Sequence, residues 1–198
     1  MIVTPDADSL AAHARAAAKR GIPPVESWDP PYCGDLDMRI RRDGTWFYNG
    51  TPIGRPELVR LFSSILRRDG DDYFLVTPVE KVGITVEDAP FVAVDFQVDA
   101  PGASQVLEFT THVGDTVAAG PEHPIRVERD PDTGEPAPYV HVRARLEALI
   151  DRKSFYRLVD LGVRAQHDGA EWFGLRSGGV FFPMIPAEDL PQDERADP

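Results

Sequence analysis

Between Leu36 and Arg41 apolar and charged residues alternate strictly: Leu36, Met38 and Ile40 against Asp37, Arg39 and Arg41. That period of two predicts a half-buried strand. Asp43-Gly44 is a hairpin turn signal, and "TWFYNG" is its return strand. After Gly54-Arg55-Pro56 the pattern changes: Leu58, Leu61, Phe62, Ile65 and Leu66 fall at helical spacing. The turn "RRDGDD" leads into the strand "YFLVTP" and then into "PVEKVGITVEDAP". From Phe91 onward the pattern is mostly that of strands, in "FVAVDFQV", "QVLEFTT", "IRVER" and "YVHVRARL", with "DPDTGEPAP" as a turn-rich connection. Asp151 is placed to cap a second helix carrying Phe155, Leu158, Val159 and Val163, and "EWFGL" and "GVFFPM" form a hairpin around Ser177-Gly178-Gly179. Ahead of all this, Thr4-Pro5-Asp6, an alanine-rich run and Gly21 read as a capped helix with a glycine stop, followed by the proline-rich surface segment "GIPPVESWDPPYCG". The acidic, proline-bearing end "AEDLPQDERADP" reads as disordered.

An internal repeat organises these elements. At an offset of 97, "IGRPELVRLFSSILRR" from Ile53 matches "IDRKSFYRLVDLGVRA" from Ile150, aligning Arg55 with Arg152, Arg60 with Arg157, Leu61 with Leu158 and Arg67 with Arg164. Two residues further out of step, Asp69-Gly70 meets Asp168-Gly169 and Tyr73-Phe74 meets Trp172-Phe173. The expected fold is α+β, with two related strand–helix–hairpin subdomains and a second half that is mostly antiparallel β with a helix. The boundaries are 1–30 for the N-terminal helix and connection, 31–88 and 89–186 for the subdomains, and 187–198 for the tail. The arginine pairs Arg60/Arg67 and Arg157/Arg164 are expected on one helix face each, as solvated flanks. Lys81 aligns with Val180, so the architecture of the repeat does not require a lysine there.

Charge narrows the partners. The 198 residues hold 33 acids and 21 bases, a net charge of -12. A protein that grips a nucleic-acid polymer by its phosphates usually carries the opposite sign. No apolar run long enough to span a membrane occurs, and the N-terminus lacks the pattern of a secretory signal. A single cysteine, Cys33, fits a reducing compartment, so a cytoplasmic location is expected. The glycine-rich phosphate loops and zinc spacings are absent from the sequence, and His13, His112, His123, His141 and His167 are scattered, so no cofactor and no metal are expected. "HVGDTVAAGPEHP" reads as a polar loop whose Asp and Thr side chains bond local backbone. Cys33 has the chemistry of a nucleophile only if a histidine approaches it.

"PVEKVGITVEDAP" is the segment with most to explain. In a strand Lys81, Gly83, Thr85 and Glu87 share one face, while Val82, Ile84 and Val86 face a core. Lys81 and Glu87 lie about 20 Å apart on an extended chain and cannot pair with each other. Either each finds a cross-strand partner such as Asp37 or Arg39, or the face lines a ligand groove. Gly83 removes bulk where something approaches the backbone. Trp46, Tyr48 and Trp172 are either core residues or stacking surfaces for a base.

"CGDLDMRIRRDGTWFYNGTPIGRPELVRLFSSILRRD", "YFLVTPVEKVGITVEDAPF" and "YVHVRARLEALIDRKSFYRLVDLG" resemble the bacterial family known as domain of unknown function 1285, over roughly Pro31 to Met184. The resemblance implies a duplicated α+β core, a second half loosely like a pleckstrin-homology fold, a groove between the halves suited to a nucleotide-like ligand, and a signalling role. Its polar motifs carry over as Asp35, Asp37 and Arg39 in "CGDLDMR" and Lys81, Glu87 and Asp88 in "VEKVGITVEDAP". Three readings follow. The first is a binding module for a small anionic, nucleotide-like ligand. The second is an enzyme using Glu87 and Asp88 as acid and base beside Lys81. The third is a domain whose partner is another protein. Adjacent strand residues point to opposite faces, which makes Glu87 and Asp88 a poor catalytic pair and favours binding.

Overall fold

The computed structural model describes residues 6–18, 21–100, 102 and 104–190. The chain divides into two compact units, one built from residues up to Val92 together with Thr111–Asp115 and Val142–Leu149, the other from Ala93–Thr110, Thr116–His141 and residues from Ile150 onward.

Up to Val86 the elements are α1 (Ala7–Ala17), a 3₁₀ turn (Val25–Ser27), β1 (Tyr32–Ile40), β2 (Trp46–Tyr48), β3 (Thr51–Pro52), α2 (Pro56–Ser64), β4 (Leu66–Asp69), β5 (Asp72–Val76) and β6 (Lys81–Val86). Asp6 caps α1, its Oδ1 accepting from the amides of Asp8 at 2.9 Å and Ser9 at 3.1 Å. Leu10, Ala11 and Ala14 bury the one apolar stripe of α1, which packs on α2. The alternation at Leu36, Met38 and Ile40 puts all three in the core, where the stacked rings of Trp46 and Phe62 lie 6.4 Å apart. These strands form one sheet in the order β3-β2-β1-β6-β5-β4, antiparallel except where β1 runs parallel to β6. The Asp43-Gly44 turn joins β1 to β2, and Asn49-Gly50, both with positive φ, turn β2 into β3.

From Phe91 the chain forms β7 (Phe91–Asp99), β8 (Val106–Thr111), β9 (Thr116–Ala118), β10 (Ile125–Arg129), β11 (Pro136–Arg143), β12 (Leu146–Ile150), α3 (Arg152–Val159), β13 (Val163–His167), β14 (Ala170–Ser177) and β15 (Val180–Pro186). Their sheet orders are β10-β11-β12-β7-β8-β9 and β13-β14-β15. The chain is therefore α+β. The order helix, hairpin, third strand occurs as α2-β4-β5-β6 and again as α3-β13-β14-β15, with Arg67 opposite Phe74 in the first and Arg164 opposite Phe173 in the second.

Three expectations need correction. The helices stop at Ser64 and Val159, so Arg67 and Arg164 sit on the strands that follow and not on a helix face with Arg60 and Arg157. The hydroxyls of Ser63 and Ser64 bond back to the carbonyls of Arg60 at 2.8 Å and Leu61 at 2.7 Å, and the β-branched Ile65 takes the cap position. Arg67, expected in solvent, is buried. The tail begins with a 3₁₀ turn at Ala187–Asp189; residues 191–198 lie outside the described residues.

Candidate functional site

The parallel pairing of β1 with β6 builds the site. Tyr32, Asp35 and Arg39 on β1 face Lys81, Gly83 and Thr85 on β6, so β1 spends three and then four residues where β6 spends two. Gly34, with φ of 101°, supplies the backbone turn the first irregularity needs. The bulged stretch swings Asp35 across Gly83, where a Cβ would lie 2.0 Å from Oδ1 of Asp35. Tyr32 donates its hydroxyl to the same Oδ1 at 2.7 Å. That bond raises the phenol's pKa, so the ring stays protonated and keeps donating.

Along the same face the antiparallel strands β6, β5 and β4 set Lys81, Phe74, Arg67 and Asp69 side by side. Lys81 places Nζ 3.9 Å from the centroid of Phe74 and 2.6 Å from Oδ2 of Asp69. Arg67 reaches the same Oδ2 at 2.9 Å and gives its other terminal nitrogen to the carbonyls of Val25 at 3.0 Å and Trp28 at 2.8 Å. Partial burial pushes the pKa of Asp69 up, but the hydrogen bonds from Lys81 and Arg67 outweigh it and hold the carboxyl below its ordinary value. Arg67 thus pins the proline-rich segment to the sheet. The edge of Tyr32 stands against Phe74, with centroids 6.2 Å apart at 89°.

These residues enclose an open cleft of about 410 Å³ lined by Tyr32, Asp35, Asp72, Phe74, Lys81 and Gly83. Tyr32 and Phe74, in contact edge to face, give it its aromatic lining. Its charges are two carboxylates, Asp35 and the exposed Asp72, and one ammonium already held by Asp69.

Of the six residues singled out in the sequence, the cleft gathers two, Asp35 and Lys81. Asp37 is exposed on β1 and is not part of its wall. Arg39, Glu87 and Asp88 form a separate group near the β1–β2 turn. There Nη1 of Arg39 lies 3.8 Å from Glu87, the Arg42 amide donates to Glu87 at 3.2 Å, and Nε of Arg42 lies 3.1 Å from Asp88. For Glu87 and Arg39 the cross-strand partner is therefore present, while the partner of Lys81 is Asp69, a residue that reads in sequence as part of a turn. Tyr32, Asp69, Asp72 and Phe74 were legible only through register: with β5 placed between β4 and β6, residues on one pleat face of the hairpin meet Lys81.

Two family models match the chain: "Domain of unknown function (DUF1285), N-terminal domain" over residues 23–89 and "Protein of unknown function (DUF1285), C-terminal domain" over residues 90–184. Among solved structures, a DUF1285 family protein from Silicibacter pomeroyi DSS-3 is 66% identical, covers 91% of this chain and 96% of its own, and superposes with a TM-score of 0.82. Another from Shewanella baltica OS155 is 31% identical over 63% of this chain and 91% of its own, with a TM-score of 0.50. No curated protein matches.

Proposed function

We propose that the chain, which belongs to the DUF1285 family, is a small-ligand-binding module whose site is the cleft between Tyr32, Asp35, Asp72, Phe74 and Lys81. The observation that carries the reading is electrostatic. Two carboxylates line an aromatic cleft whose lysine is already neutralised by Asp69. A ligand that fits brings hydrogen-bond donors to Asp35 and Asp72 and a flat ring to Tyr32 and Phe74. The family resemblance implied an anionic, nucleotide-like ligand; the charges of this cleft favour instead a nucleoside or an aromatic amine, neutral or cationic. A phosphate would have to take Lys81 from Asp69 and sit beside two more carboxylates. In this reading the module is a sensor that binds without turnover, and the second half, expected to be loosely pleckstrin-homology-like, is the output side that a signalling role requires.

A thermal-shift panel of nucleosides, aromatic amines and the matching nucleoside monophosphates tests this. A ligand at a hundred times its dissociation constant stabilises by about 2.7 kcal/mol, a rise of roughly 5–10 °C for a chain of this length. The expected result is a shift with a nucleoside or amine that exceeds the shift with its monophosphate and disappears in Asp35→Asn. Lys81→Ala costs about 1 kcal/mol of stability through the lost ion pair and ring contact and leaves nucleoside binding in place. A monophosphate that outperforms its nucleoside, and loses its effect in Lys81→Ala, would restore the anionic ligand. A flat panel would move the reading to a protein partner.

A further inference from the structure

His123 and His141, 18 residues apart and scattered as the sequence presents them, meet in the second unit. His141 is on β11, and His123 lies in the connection that leads into β10. The backbone sets both positions: the His141 amide donates to the Pro124 carbonyl at 3.0 Å, and the Gly120 amide donates to the His123 carbonyl at 3.1 Å. The two Nδ1 atoms are 3.4 Å apart while the ring centroids are 5.4 Å apart, with 29° between the ring planes. Each Nδ1 is therefore on the side of its ring that faces the other. The free valence of a ring nitrogen points outward in the ring plane, so both are aimed into the gap between the rings. A third group borders that gap, for the His141 carbonyl oxygen lies 3.2 Å from Nδ1 of His123. A carbonyl only accepts, so the proton there belongs to Nδ1 of His123, and Nδ1 of His141 accepts from the same N–H. One proton thus sits among two imidazole nitrogens and an oxygen. Both residues are half-buried, which leaves the pair open to solvent.

A zinc ion held tetrahedrally by bonds of about 2.05 Å keeps neighbouring ligand atoms about 3.3 Å apart. The separations of 3.4 Å and 3.2 Å from Nδ1 of His123 match that edge, whereas the right angles of square-planar copper(II) require about 2.8 Å. We infer that the pair is a metal site, which takes a zinc-type divalent cation in place of the shared proton. Its ligands are Nδ1 of His123 and Nδ1 of His141, with the His141 carbonyl as third donor and water as fourth. Among the described residues no three His, Cys, Asp or Glu side chains gather as metal ligands, so carbonyl and water must complete the shell. That makes it an exchangeable site and not a closed structural one. Arg126 pairs in register with Tyr139, two residues from His141, but its guanidinium lies 4.3 Å from the Tyr139 ring centroid and is neutralised by Glu128. Loading releases no net proton from the neutral pair: the proton of His123 passes through solvent from Nδ1 to Nε2, and Nδ1 takes the metal.

The test adds zinc chloride alone to the full chain at about pH 7.5, where an ordinary histidine is neutral. Calorimetry is expected to show one zinc per chain, bound at least about tenfold more weakly by His123→Gln and by His141→Gln. His13→Gln, which removes the histidine beside Glu80 and leaves the pair intact, is expected to bind zinc as the unsubstituted chain does. In a nitrogen-15 spectrum of histidine-labelled protein, two of the five rings are expected to move at Nδ1, and one of the two to exchange Nδ1–H for Nε2–H. That spectrum is recorded on the unsubstituted chain, so it remains decisive even if a glutamine variant fails to fold. A chain that takes up no zinc, or takes it up equally in all three variants, would overturn the site. So would a zinc-saturated spectrum in which no ring changes tautomer or only Nε2 resonances move, since the ion would then be on the outer edges of the rings. Uptake of copper(II) without uptake of zinc would overturn the tetrahedral assignment.

Discussion

A methyl group at Gly83 would lie 2.0 Å from Oδ1 of Asp35 and 3.2 Å from its Cγ. What it would meet is the free end of a side chain, so the fold has a way out: Asp35 rotates away. That rotation gives up the bond from Tyr32 and removes from the cleft the carboxylate that the proposed ligand needs. Gly83→Ala is therefore expected to lose about 1 kcal/mol of stability in urea unfolding while abolishing the ligand-induced thermal shift. A ligand response that survives Gly83→Ala would mean that Asp35 does not contact the ligand. The same reasoning separates the two arginines that the sequence presents as equivalent. Arg67 is buried on backbone carbonyls and Asp69, whereas its counterpart Arg164 is exposed and lies 3.6 Å from Glu171. Both stand on the strand after a helix, and what separates them is the segment at Val25 and Trp28 whose carbonyls Arg67 holds.

At the scale of elements, the stretch from His112, expected as one polar loop, forms a tight turn over Thr111–Asp115 and then β9, and the Asp115 side chain pairs with Arg143 instead of local backbone. The Thr111 amide bonds the Asp115 carbonyl at 2.8 Å, and Oγ1 of Thr111 accepts the Asp115 amide at 3.0 Å. It also carries His112, and that gives the loop a pH dependence. Burial lowers the folded-state pKa of His112 below 6.5, against weaker opposing pulls from its backbone hydrogen bonds to Val92 and Gly44 and from the carboxylates of Asp115 and Asp43. Between the lowered value and 6.5 the unfolded chain holds a proton that the folded chain does not, so stability rises with pH there. The contribution is complete above pH 6.5 and is lost as pH falls through that range. Urea midpoints across pH 5 to 8 should show a slope that flattens in His112→Gln, and a variant with an unchanged slope would refute the assignment. The loop's bonds to Val92 and Arg143 were not legible, being long-range, but the turn bonds between Thr111 and Asp115 were, because they are local. So were the β1–β2 hairpin, from alternation and Asp43-Gly44, and the repeat of helix and hairpin. The β1–β6 pairing was not, since it joins segments more than forty residues apart with two irregularities that no local pattern encodes. Without that pairing Asp35 cannot be placed on Gly83, nor Arg39 opposite Thr85, which is why the sequence names Asp35, Lys81 and Gly83 among the residues lining the Lys81 cleft and misses the aromatic ones.

At the scale of the molecule, the family models divide the chain at residue 89, but the compact units do not follow that division. The first unit takes back Thr111–Asp115 and Val142–Leu149 from the later half of the chain. Those segments bring His112, whose amide and Nδ1 bond both backbone groups of Val92. They also bring Arg143, which donates to the Ser63 carbonyl at 2.9 Å, pairs with Asp115 and lies 4.8 Å from the Phe91 ring centroid. Buried Leu146 and Ala148 come with them. A fragment of residues 1–92 keeps every residue that lines the Lys81 cleft but loses all of these partners, leaving the Ser63 carbonyl without Arg143 at the C-terminal end of α2. The expected result is a fragment with strand and helix signals in far-UV circular dichroism but with no near-UV signal and no cooperative melt. Residues 111–115 and 142–149 cannot be restored separately by any single added segment, because the chain between them folds into the other unit. A fragment that instead melts cooperatively near the full chain's temperature would show that the family boundary is also a folding boundary, and ligand binding by that fragment would confine the cleft's function to the N-terminal family domain.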